Sequence, residues 1–157
     1  METRIIDLNE TKLVGVCQQM SLANDQTQLL WQQLMPRRQA IPERVGEEFY
    51  SMAVYQAGFQ MKDFTLQTEF DKWAAVAVTS FDKVPEGMQT TTVAGKYAVF
   101  LHKGPASTFP QTLQYIHGVW LPASEFELDD RPHFEILGKN YLPTDPNAEE
   151  EVYVPIK

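Results

Sequence analysis

The order of elements in this chain reads twice, and that constrains its fold more than any other feature. A strand at Leu13–Val16, a helix bearing Trp31, a Met35-Pro36 stop and a strand at Phe49–Ala57 come first. A strand at Tyr97–Leu101, a helix bearing Trp120, a Leu121-Pro122 stop and a strand at Phe134–Leu137 follow. Two copies of a strand–helix–strand unit meet edge to edge or face to face. One helix covers only one face of its strands. The other face is then exposed, covered by the partner half or used to line a cleft, and ligand sites favour such seams.

The individual elements follow from periodicity and punctuation. Lys12–Met20 alternates loosely and is rich in Val, as strands are. Asn24-Asp25 offers a cap to a helix in which Leu29, Leu30, Gln33 and Leu34 recur at helical spacing, and Pro36 with Arg37-Arg38 closes it. Trp73–Thr79 is almost wholly apolar, which predicts a strand covered on both faces. Met88–Val93 and Lys96–His102 are expected to pair as a hairpin around Ala94-Gly95. After Gly104-Pro105, Ser107 is the expected cap of a second helix whose stripe is Leu113, Ile116, His117 and Trp120. His133–Gly138 and Glu151–Ile156 are the last two strands, with a polar, proline-rich loop at Pro143–Glu150 between them.

Composition narrows the classes of partner. The 157 residues are 43% apolar and 22% charged, ordinary values for a domain with a real core. A formal charge of −8 repels phosphate backbones and anionic lipid, so neither nucleic acid nor a membrane is an expected partner, whereas a cationic small molecule meets no such barrier. Cys17 stands alone, which excludes an internal disulfide framework and a cysteine-built zinc site. Arg4, Asp7 and Glu10 interrupt the start, and no apolar run is long enough to span a bilayer, so a cytoplasmic location is expected. Phosphate loops, dinucleotide fingerprints and the common hydrolase motifs are missing. His102, His117 and His133 lack metal-ligand spacing, so no metal or cofactor is expected.

The sharpest candidate for chemistry lies in the fifth strand. Alternation puts Phe134 and Ile136 on one face, expected against the second helix, and leaves Glu135 to point into the seam. A carboxylate in an apolar cleft costs several kcal/mol to desolvate unless it is paired, so it shifts its pKa or awaits a cation. Tyr55, Trp73, Tyr97, Trp120 and Tyr153 are the rings expected to complete a receptor for a lipophilic cation. The run Glu149-Glu150-Glu151 reads as a solvated loop and strand entry, and Asp129-Asp130 ahead of Arg131-Pro132 as turn chemistry.

Several segments resemble the GyrI-like small-molecule-binding domain, which also serves as the effector-binding part of AraC- and MerR-type regulators. They are Gly95-Lys96-Tyr97-Ala98-Val99-Phe100, His102-Lys103-Gly104-Pro105, Trp120 to Glu127, Asp130-Arg131-Pro132-His133-Phe134-Glu135 and Glu151 to Lys157. The resemblance implies an α+β fold of duplicated β-α-β-β units with pseudo-two-fold symmetry, an antiparallel sheet and a ligand cleft between the halves. It implies one domain over 1–157, with repeats of about 1–85 and 86–157, and a stand-alone member without a DNA-reading domain. It also implies that Glu135 is the cleft carboxylate that meets cationic, aromatic drugs.

Two functions are therefore expected from this sequence. The first is binding of lipophilic, cationic aromatic molecules for sensing or sequestration, anchored by Glu135. The alternative is hydrolysis of electrophilic aromatics, with Glu135 as general base and Tyr97 or Tyr153 as the acid. A weaker third reading has the acidic loop Asp145–Glu151 touching a basic protein partner.

Overall fold

The computed structural model describes residues 2–157 and contains six strands and two main helices. In chain order they are β1 (Thr3–Met20), α1 (Thr27–Leu34), β2 (Phe49–Val54), β3 (Phe70–Val78), β4 (Gln89–Lys103), α2 (Phe109–Tyr115), β5 (His133–Leu137) and β6 (Glu149–Pro155). The order β-α-β-β thus occurs twice, as expected. All neighbouring strands are antiparallel, and the sheet closes on itself in the order β1-β3-β2-β5-β6-β4. Exchanging the two halves maps this ring onto itself, so the pseudo-two-fold passes between β2 and β5 and between β1 and β4.

Closure gives every strand an inner and an outer face, and apolar residues occupy both. Leu13, Met52, Trp73, Ala75, Val93, Tyr97, Val99, Phe134 and Tyr153 fill the barrel. Phe134 is fully buried and stacks on Tyr153 at 4.5 Å, with Tyr97 edge-on at 5.2 Å. Outside, α1 lays Leu30 and Leu34 on Val14, Val16, Ala74 and Val76. Residue Ile116, just after α2, packs on Ala98, Phe100, Val152 and Val154. The apolar run of β3 is covered on both faces, Trp73, Ala75 and Ala77 facing inward and Ala74, Val76 and Val78 lying under α1.

Several local expectations are corrected. Ala94-Gly95 makes no hairpin: β4 runs straight through it. Gly95 takes φ +103°, and β1 absorbs the irregularity by a register shift between Leu8 and Thr11. The strand expected at Lys12 already begins at Thr3, and the strand from Phe49 ends at Val54. Neither proline stop is abrupt. A 3-10 segment Met35–Ala40 continues α1, and a π-helical turn Ile116–Trp120 with a further turn Leu121–Ala123 continues α2. Both prolines sit in the first turn of these segments, where no amide hydrogen is needed. Ser107 does not cap α2, whose entry carries no side-chain cap; for α1, the carboxylate of Asp25 accepts the Thr27 amide at 2.9 Å.

The lead-in to β5 is fixed by one side chain. Arg131 donates to the carbonyls of Ala94, Lys96 and Ile156, pairs with Asp129 at 2.7 Å and lies 4.8 Å over the Tyr97 ring. It fills the space beside Gly95, where an added Cβ would stand 2.8 Å from its guanidinium. The Asp129-Asp130 turn adds a bond from the Gly58 amide to Asp130 at 2.8 Å. Arg131→Lys keeps the charge but loses the planar fork. We expect it to cost about 1–3 kcal/mol, read as a lowered thermal midpoint.

Candidate functional site

The junction of the two halves carries a groove on the outer face of the barrel. α1 covers the β1-β3-β2 half and α2 the β4-β6 half, and the gap between them lies over β2 and β5. This groove encloses about 620 Å³. Trp31 and Phe49 form one wall, edge to face at 5.9 Å, while Phe109 and Tyr141 line the opposite side. Ser51, Glu135, Leu137 and Glu150 contribute the strand floor. Its volume falls in the range of ordinary small-molecule sites, and its lining is mainly apolar with a few polar groups.

Glu135 reaches this groove from the face opposite to Phe134. In register it stands between Ser51 of β2 and Val152 of β6. Burial pushes its carboxyl above the usual carboxylate range, with Lys72 pulling weakly the other way. The ion pairs among the described residues lie elsewhere: Arg4–Glu151, Lys12–Glu10, Lys103–Glu149, Arg131–Asp129 and Lys139–Glu47. Glu135 therefore sits in an aromatic groove without a bonded countercharge.

Glu135 lines the groove between the halves, but the faces of β5 are the reverse of those expected. Phe134 and Ile136 pack into the barrel instead of against α2, because the sheet rolls up and its interior takes the larger apolar set. The same inversion moves three of the five candidate rings. Trp73, Tyr97 and Tyr153 are inside the barrel, on the other side of the sheet from Glu135. The Tyr97 hydroxyl donates to the Pro132 carbonyl at 2.7 Å, and burial raises its pKa to about 12. Trp120 is on the outer face but packs on Phe100 at 5.0 Å and Phe126 at 6.2 Å. Tyr55 is the one that stays close. It lies edge-on to His133 at 5.2 Å, in a separate small hollow, and burial together with the Glu135 charge pushes its phenol up to about 12.

Most residues that line the groove escaped the sequence reading of the site, Trp31 among them, which that reading places only in a helix. Phe49, Phe109 and Tyr141 gave no periodic signal toward a seam, and Tyr141 lies in a loop where no alternation applies. Glu150 did give one: it keeps phase with Val152 and Val154, which lie under the helix. The run Glu149–Glu151 is not uniformly solvated, since Glu150 is only 7% exposed. Burial and the nearby Glu135 raise its carboxyl to about 7.

Two of the histidines, His117 and His133, add no positive charge. Burial lowers His117, and burial with the neighbouring His117 and Arg131 takes His133 down to about 3, so both are neutral at ordinary pH. His102 is buried and bonds Thr112 at 2.7 Å. No group of potential metal ligands occurs among the described residues. No helix among them is long and apolar enough to cross a membrane. Burial takes the Cys17 thiol to about 11, which leaves it protonated and unreactive.

A family model, the GyrI-like small molecule binding domain, matches residues 1–157. The chain belongs to the GyrI-like family. Among curated proteins, the transcriptional regulator BrlR of Pseudomonas aeruginosa is 30% identical over 159 residues. That match takes in 99% of this GyrI-like chain and 56% of BrlR, so the chain spans little more than half of that regulator. Solved structures share the fold, and two of them are informative. SAV2435 bound to tetraphenylphosphonium superposes with a TM-score of 0.73 at 17% identity, covering 100% of this chain and 94% of that one. EcmrR, in a complex with DNA, gives a TM-score of 0.70 at 13% identity over 99% of this chain and 57% of that one.

Proposed function

We propose that this GyrI-like domain binds lipophilic aromatic cations in the groove between α1 and α2, with Glu135 as the anionic anchor. The observation that carries this reading is Glu135 itself: a carboxyl on the floor of an aromatic groove, desolvated and without a bonded countercharge. Trp31, Phe49, Phe109 and Tyr141 supply apolar area and ring faces, each worth up to about 2 kcal/mol against a desolvated cation. Tyr55 stands near enough for the Glu135 charge to act on its phenol. His117 and His133 are neutral and add no positive charge there. SAV2435, which shares the fold, carries a lipophilic cation. Sensing or sequestering such a molecule is the role this site suits, and the charge of −8 keeps phosphate backbones away.

Hydrolysis has less support. The acids expected to work with Glu135, Tyr97 and Tyr153, face the barrel interior and cannot meet a substrate held in the groove.

Paired ligands test the binding reading. Tetraphenylphosphonium and a neutral aromatic of similar size are titrated into the wild type and Glu135→Gln by calorimetry. The variant should lose about 2 kcal/mol for the cation, roughly thirtyfold in Kd, and no more than about twofold for the neutral compound. Equal losses for both ligands would remove Glu135 from its role.

A further inference from the structure

The groove contains a second carboxyl that the reading above does not use. We propose that Glu150 is a second anchor of the groove, that it and Glu135 retain a proton between them while the groove is empty, and that an arriving cation expels this proton. The inference rests on the groove being the cation site.

Register sets the pair. Leu137 stands opposite Glu150 and Glu135 opposite Val152, so the two carboxyls are diagonal neighbours on adjacent strands, both on the groove floor. Diagonal positions are roughly 7–8 Å apart, within reach for long side chains. Like charges held that close in a desolvated site oppose joint ionisation. The flanking glutamates show how different Glu150 is. Glu149 pairs with Lys103 and Glu151 with Arg4, both at the surface, whereas Glu150 takes the opposite face of β6 and forms no such pair among the described residues.

The groups around Glu150 leave its proton in place. On β4, His102 is directly opposite but directs its ring nitrogens to Thr112 at 2.7 Å and toward the Pro105 carbonyl at 3.4 Å. Lys72 of β3 is the cation that lowers both carboxyls, and in each case burial outweighs it. Lys139 at the rim is paired with Glu47, and Asp25 ahead of α1 adds negative charge. Tyr141 is held in its neutral form, its phenol pushed up to about 12 by burial and by Glu150 and Glu135. With Glu150 titrating near 7, the empty groove carries a partly occupied proton at neutral pH. A monocation then binds with proton release: the carboxyl O–H breaks, its electron pair stays on the oxygen facing the ligand, and the proton passes to buffer.

Calorimetry of tetraphenylphosphonium at pH 7, in buffers of different ionisation enthalpy, reads this directly. The wild type should release about half a proton per cation bound, with affinity rising from pH 6 to 8 and levelling above. Glu150→Gln should still bind, a few-fold more weakly, with the release reduced to near zero and the pH dependence flattened. Binding to the wild type with a buffer-independent enthalpy, or an undiminished release in Glu150→Gln, would overturn the inference and leave the cation site standing. Absence of binding to the wild type at every pH would overturn both.

Discussion

Phe134→Ala is expected to destabilise the protein by about 3–5 kcal/mol, the ordinary cost of deleting a ring from a packed core. Phe134 is fully buried and touches three rings: Tyr153 at 4.5 Å, Tyr97 at 5.2 Å and Tyr50 at 5.6 Å. Its loss leaves a cavity at the centre of the barrel, where six paired strands cannot collapse without breaking their ladders. For a domain of this length, each kcal/mol moves the thermal midpoint by about 2–4 °C, so a drop of roughly 10 °C is expected. The groove should survive. Phe134 and Glu135 face opposite sides of the sheet, and below its midpoint the variant should bind tetraphenylphosphonium within about threefold of the wild type. A large loss of affinity with little loss of stability would place Phe134 in the groove instead of the barrel.

The second large effect is on stability against pH, and its sign is opposite to that of a surface carboxylate. Glu150 moves from 4.5 to about 7 on folding, so the folded state favours its protonated form. Its contribution is fully present below about 4.5 and is lost as pH rises through about 7. At pH 8 the ionised side chain costs on the order of 3 kcal/mol relative to acid conditions. Glu150→Gln removes that penalty, so the variant should melt about 5–10 °C above the wild type at pH 8 and close to it at pH 5. Thermal melts of both proteins across pH 5 to 8 check this. A constant gap between them, or none, would mean that Glu150 is solvated as its acidic neighbours are.

Much of this architecture can be read from the chain, but its faces cannot. The order of elements and the turn chemistry are local, and they gave the repeated strand–helix–strand order, while the full β-α-β-β plan came with the family resemblance. The two-sided burial of Trp73–Thr79 was legible because an apolar run in a strand has no polar face to expose. β5 has the same problem in a subtler form. Its alternation separates Phe134 from Glu135 but does not say which face meets a helix and which meets the barrel, since both are apolar environments. From that ambiguity came the misplacement of Trp73, Tyr97 and Tyr153. Gly95 misled for another reason: a glycine with positive φ marks a kink in a long strand as readily as a turn. Glu150 was lost among three glutamates whose composition reads as surface, although its phase with Val152 and Val154 distinguishes it. Tyr141 carried no signal, because loop residues are placed by tertiary contacts alone.

The ring of six strands has one more consequence. Every strand has a neighbour on each side, and the unpaired edges are confined to strand ends, such as Thr3–Leu8 of β1, which pairs with β4 alone. Strand addition by a foreign chain has only these short stretches to use, and fibril nucleation through exposed sheet edges is narrowed to the same places. Most of the surface around the groove is therefore helix and loop, with backbone polar groups already paired within the ring.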